Sequence, residues 1–210
     1  MWNFHKNRSE LQLFQLYLKS RLQDVFETTE VKEEWSSMQD EYNRELYSPR
    51  LDVAVGPFAT HQQLGHVYDE MINKDLAKQF IRKLVDYNRE NLERHDGFVN
   101  PTTFDDIWDL NYNSRCLIAI EIENQVSRKH LLDGVVNASA LGRIGIVIPW
   151  SGEKLRAFVK LVRYLQYLKY ADKNTFNTTN LLIVTKEQMH TAIEEVLEAE
   201  NSNIDIVNIR

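Results

Sequence analysis

The segment from Leu117 to Ile122 constrains the fold of this chain more than any other. It is a run of β-branched and aliphatic residues that ends in Glu121 and Glu123, and its continuous apolar character fits a strand covered on both faces. Ile144 to Ile148 and Leu181 to Val184 read the same way. Between these runs the apolar spacing predicts helices over 131–141 and 153–170. Buried strands alternating with amphipathic helices specify an α/β order.

Upstream, Phe14, Tyr17, Leu18, Leu22 and Val25 recur at three- and four-residue steps and predict a first helix over 11–26. Val31, Trp35, Met38 and Tyr42 continue that spacing and predict a second helix to about residue 46, with Glu34, Glu41 and Glu45 on an adjacent stripe. Pro49 stops it, and Leu51 to Val55 reads as a short strand closed by Gly56-Pro57. Residues 62–94 carry helical spacing and many charges, as an inserted helical pair would. From Asp96 to Arg115 the composition turns to Gly, Pro, Asn, Asp and Thr, which predicts a long ordered loop with one short helical turn. A last helix is expected over 186–200 and an edge strand over 204–209.

With 210 residues, 43% apolar and 27% charged, the chain fits one globular domain, and 7 Gly and 4 Pro leave little room for disordered linkers. No window approaches the roughly 18 uncharged apolar residues of a membrane span, and Met1 to Glu10 lacks an apolar signal centre. The single cysteine, Cys116, lies in an apolar run and suits a buried thiol in a reducing, cytoplasmic setting. No membrane association is expected.

A net charge of −6 argues against binding a polyanion with the whole surface, because phosphate contacts need Lys and Arg. The distribution is uneven, however. Between Lys154 and Lys173 stand six cations and one anion, a local net of +5. Within that segment Arg156, Lys160 and Arg163 fall at i, i+4 and i+7 and form one basic stripe, opposite a buried stripe of Leu155, Phe158, Val162 and Leu165. Such a stripe can track a phosphate backbone. It is equally what an amphipathic helix presents to water.

Side chains alternate along a strand, so Glu121 and Glu123 share one face. Two carboxylates about 7 Å apart at the end of an apolar strand are costly to bury unless a cation or hydrogen-bond donors offset them. Asp52, between Leu51 and Val53, poses the same question. Together the three supply the hard oxygen ligands preferred by Mg²⁺ or Mn²⁺. On an edge strand the same Glu-x-Glu would be a solvated face. Asn124 and Gln125, just after the acidic pair, suit either a phosphate contact or a cap on the strand-to-helix turn. The six histidines show no zinc spacing, and neither a phosphate-cradling Gly-rich loop nor a Gly-x-Ser-x-Gly elbow is present.

The order helix, Ser48-Pro49-Arg50-Leu51-Asp52-Val53-Ala54-Val55, Ile118-Ala119-Ile120-Glu121-Ile122-Glu123-Asn124, helix and strand resembles the core of the PD-(D/E)XK nuclease superfamily. The resemblance spans roughly residues 31–150, with Leu181 to Val184 as a further strand. It implies a restriction-endonuclease-like fold, a central mixed sheet flanked by helices, here with N-terminal helices and the insertion at 62–94. Asp52 matches the first acidic position and Glu121 the second, while Glu123 stands where the superfamily usually has Lys.

What the resemblance implies for chemistry is one or two Mg²⁺ or Mn²⁺ ions held by Asp52, Glu121 and the backbone carbonyl of Ile122, acting on a phosphodiester, in DNA rather than RNA. Glu123 would bind metal or orient water, and Lys129 would take over the task of the missing Lys. An acidic residue on the preceding helix, Glu41 in particular, would complete the ligand set. A restriction-like enzyme of this kind would often be a homodimer. Two other readings stand beside it: a catalytically inactive binding or structural module on the same fold, and an unrelated α/β protein whose glutamates are surface residues.

Overall fold

The computed structural model describes residues 9–37, 49–59, 62–95, 101–124 and 128–208. Helix α1 (Glu10–Phe26) starts at a capping box: the Ser9 hydroxyl accepts from the Gln12 N–H, and the Gln12 side chain accepts from the Ser9 N–H. It ends at Glu27, whose left-handed backbone (φ 48°) breaks the helix. Its inner stripe is Gln15, Leu18, Leu22, Val25 and Phe26. Strands β1 (Val31–Ser36) and β2 (Arg50–Val55) follow, then helices α2 (Gly65–Asn73), α3 (Asp75–His95) and the short α4 (Asp106–Asp109). The remainder alternates: β3 (Cys116–Glu123), α5 (Arg128–Leu141), β4 (Gly142–Pro149), α6 (Gly152–Tyr170), β5 (Leu181–Ile183) and α7 (Lys186–Asn208).

The five strands form one mixed sheet in the order β1-β2-β3-β4-β5. The first two pairings are antiparallel and the last two parallel. The sheet has an apolar layer on each side, as the uninterrupted runs of β3 and β4 require. On one side Val53, Val55, Ile118, Ile120, Ile144 and Ile146 pack with Leu18 and Leu22 of α1, Phe80 and Leu84 of α3, and Ile193 of α7. On the other, Cys116, Ala119 and Val147 pack with Val135 and Ala138 of α5 and with Phe158 and Val162 of α6. Cys116 is buried, and among the described residues no helix is long and apolar enough to cross a membrane.

Two expectations are corrected. The helix expected over 31–46 is instead a strand in its first part, β1 over 31–36, while its later part, from Met38 on, lies outside the described residues. Val31 and Trp35 are four residues apart, a spacing that satisfies both the helical and the strand period. The edge strand expected over 204–209 is also absent, because α7 runs on to Asn208. Extending an established helix by one residue costs far less than nucleating new structure, and this outweighs the β-branched side chains there.

The approach of α5 to β4 fixes where α5 stands relative to the sheet. A Cβ at Gly145 would lie 2.7 Å from the backbone carbonyl of Ala138. The backbone of α5 can come that close only because Gly145 has no side chain. The substitution Gly145→Ala is therefore expected to lower unfolding free energy by about 1–3 kcal/mol. Urea denaturation measures this, and a wild-type midpoint would show that α5 sits elsewhere.

Candidate metal centre

Strands β2 and β3 pair through Val55↔Ile118, Ala54↔Ala119 and Val53↔Ile120, and the ladder stops there. At the next step the Asp52 side chain takes the place of a backbone partner. Its Oδ2 accepts from the Ile122 N–H at 2.6 Å. Its Oδ1 accepts from the Gln15 side-chain amide at 2.8 Å. The same amide nitrogen donates to Oε1 of Glu34 at 3.0 Å, and Oε2 of Glu34 pairs with Arg50 Nε at 2.8 Å. An NH₂ group carrying partial positive charge thus bridges two carboxylates.

Glu34 reaches this position through an unusual backbone. Its φ is 51°, in the left-handed region that a β-strand residue seldom occupies. The β1–β2 ladder runs Glu33↔Val53 and then Trp35↔Leu51, so Glu34 and Asp52 fall at the intervening step. The twist there is visible in the packing: Val53 joins the layer under α1, while Leu51 and Trp35 join the opposite one.

Glu121 lies on the α5 side of β3. Its Oε1 accepts from Asn137 of α5 at 3.2 Å, and Gly134, one turn earlier, faces its stem. Burial is the main reason that both acids resist ionisation. It pushes Asp52 up to about 6, against the opposing effect of the Ile122 N–H, with the charges of Glu34 and Glu123 adding to the rise. Glu121 is held well above the ordinary carboxylate range by burial first and by the charge of Asp52 next, with Glu123 and Glu34 contributing in the same direction. Asp52 and Glu121 therefore both feel the charges of Glu34 and Glu123, carried on the same three adjacent strands. Among the described residues, no three His, Cys, Asp or Glu side chains are drawn together into a ready-made cage for an ion.

Glu123 is half-buried at the end of β3, and its carbonyl accepts from the Trp150 N–H. Asn124 is exposed, with both its carbonyl (2.7 Å) and its side-chain oxygen (3.4 Å) accepting from Lys154 Nζ. Lys129 is exposed in the first turn of α5. Arg156, Lys160 and Arg163 are exposed on α6, away from the carboxylates' own bonding network. Glu41, Glu45 and Gln125 lie outside the described residues.

Three participants were missed in the sequence: Gln15, Asn137 and Lys154. Gln15 had a signal, as the polar member of the stripe that continues through Leu18, Leu22 and Val25. Lys154 had one too, because a Lys in the first turn of a helix opposes the helix dipole and needs a separate reason to be there. A cavity of about 440 Å³ has walls that include Phe14, Trp150, Lys186 and His190. Phe14 precedes Gln15 in α1, and Lys186 Nζ stands 4.5 Å from the Trp150 ring centroid.

No family model, curated protein or solved structure matches this chain.

The electrostatics carry a definite sign. For an acid whose folded-state pKa is raised, the stabilising contribution is full below the unfolded pKa and is lost as pH rises through the folded one. Without divalent ions, Asp52 and Glu121 should therefore make the protein less stable as pH climbs from about 4 through 6 and above. Glu121→Gln keeps an acceptor for Asn137 and removes the charge. It should exceed wild type in urea-unfolding free energy at about pH 8 and equal it at about pH 4. A variant less stable than wild type at the higher pH would mean that the Glu121 carboxylate is not under electrostatic strain.

Proposed function

We propose that this chain is a divalent-metal-dependent nuclease of restriction-endonuclease-like fold that hydrolyses phosphodiester bonds in DNA. The observation that carries this reading is the point where β2 and β3 part, with Asp52 bonded across the gap to Ile122 and Glu121 beside it. In a strand, a residue's N–H and C=O project to the same edge. The Ile122 carbonyl therefore opens on the side of Asp52, and Asp52, Glu121 and that carbonyl make an all-oxygen donor set suited to Mg²⁺ or Mn²⁺. The raised titration of both acids supports the reading, since a nearby cation is what would restore their ionised forms.

A divalent ion held there by Asp52, Glu121 and the Ile122 carbonyl would supply Lewis-acid polarisation of the phosphate and a lowered pKa for water. The protein's own residues do the rest. Glu123, on the same face of β3 as Glu121, orients the attacking water and takes up its proton. Gln15 holds Asp52 and Glu34 apart and fixes their orientation through its amide. The fixed positive charge that a motif Lys would bring is assigned to Lys154 rather than to Lys129. Lys154 is buried and bonded one residue beyond Glu123, whereas Lys129 is exposed.

A second reading, an inactive module for binding or structure, draws on the same place: Gln15 donates hydrogen bonds where a ligand carboxylate would serve a metal, and Glu123 replaces the Lys. Incubation of supercoiled plasmid and of single-stranded DNA with Mg²⁺ or Mn²⁺ separates the two. The nuclease reading expects metal-dependent cutting that falls about a hundredfold or more in Asp52→Ala and in Glu121→Ala. Absence of cutting by every form, with no metal binding by calorimetry, would favour the inactive module.

A further inference from the structure

Helix α6 carries an exposed face on which a run of cations is followed by a run of tyrosines. At 100° per residue, Arg156, Lys160, Arg163, Tyr164, Tyr167 and Tyr170 all fall within about a third of the helix circumference. The cations occupy the half nearer the N-terminus and the tyrosines the half nearer the C-terminus. Tyr164 is 56%, Tyr167 64% and Tyr170 89% exposed, although tyrosines usually bury most of the ring. Three such rings in one row are not the scattered apolar residues of an ordinary wet face. The opposite side of α6, with Leu155, Phe158, Val162 and Leu165, already supplies its packing into the core.

We propose that this face binds a single strand of nucleic acid, the cations following its phosphates and Tyr164, Tyr167 and Tyr170 stacking on successive bases. Charge and ring spacing both favour this occupant. On this face Arg156, Lys160 and Arg163 outnumber its one acid, Glu153, in a chain of net −6, so a polyanion is drawn here rather than to the rest. The rings recur every three residues, each step advancing about 4.5 Å along the helix axis and turning about 60° around it, so neighbouring rings stand farther apart than the axial rise alone. That is wider than the ~3.4 Å step of a duplex strand and suits bases splayed from one another. A duplex, with its bases turned inward, would engage the cations and leave the tyrosines idle. The inference builds on the proposed nuclease and narrows its substrate. Lys154 ties the start of α6 to Asn124, so a strand lying along the helix leads toward the acidic end of β3.

Fluorescence anisotropy with a labelled oligothymidine and a labelled duplex of equal length tests this, in EDTA so that cleavage plays no part. The protein compared with wild type carries Tyr164→Ala, Tyr167→Ala and Tyr170→Ala together, all at exposed positions where thermal melting should stay unchanged. Affinity for the single strand is expected to fall by at least about tenfold, with duplex binding unaltered. Lys160→Ala should instead weaken both and reduce the salt dependence. Wild-type affinity in the triple tyrosine variant would overturn the proposal. So would an equal loss for both probes, or a loss confined to self-association in sedimentation, which would make the face a contact between copies. Because no metal is present, failure here leaves the cleavage reading intact, and failure of cleavage leaves this binding result standing.

Discussion

The Asp52 carboxylate, inserted where a backbone carbonyl would otherwise continue the ladder, is the interaction around which the acidic end of this sheet is organised. Beyond Val53 and Ile120 the two strands no longer pair, and the Ile122 N–H would lose its partner in a buried setting without that carboxylate. A buried donor left unsatisfied costs about 1–3 kcal/mol. Asp52 removes that penalty and incurs another, because burial opposes its own ionisation. Gln15 reduces the second cost by donating to Asp52 and to Glu34 at once.

The rest of the fold places groups around this point. The first helix packs its apolar stripe on one side of the sheet and so delivers Gln15, while the fifth helix, brought close by Gly145, delivers Asn137 to Glu121 from the opposite side. The sixth helix is anchored at the same end of the sheet through Lys154 and carries its basic and aromatic face outward from there. The carboxylates are thus held by three strands and steadied from both faces, and a site on regular elements is better fixed than one on loops.

The sequence was most readable where one period dominated. The runs at 117–122 and 144–148 are apolar at nearly every position, which only a doubly covered strand explains, and the stripes of α1 and α6 repeat cleanly at the helical period. The first strand was unreadable for a physical reason: Val31 and Trp35 satisfy both periods, and the left-handed Glu34 sends them to opposite faces of the sheet. Asp52 and Glu121 stood out because a carboxylate inside an apolar strand demands an explanation. Gln15 and Asn137 did not, because amides are ordinary on helices, and only the packing of α1 and α5 reveals that these two point inward at acids. In the sequence Lys154 is one cation of a basic segment, yet its amine is turned onto the backbone of Asn124.

The central claim is that the raised acids of β2 and β3 are poised for a divalent cation. The most direct measurement is the anomalous scattering of Mn²⁺ in crystals of the wild-type protein grown near neutral pH. A single strong peak is expected at about 2.1 Å from oxygens of Asp52 and Glu121 and from the Ile122 carbonyl, and none in crystals of Glu121→Gln. A map without a peak there, with Asp52 still bonded to Gln15 and Ile122, would contradict it and leave these acids as a structural device of the sheet.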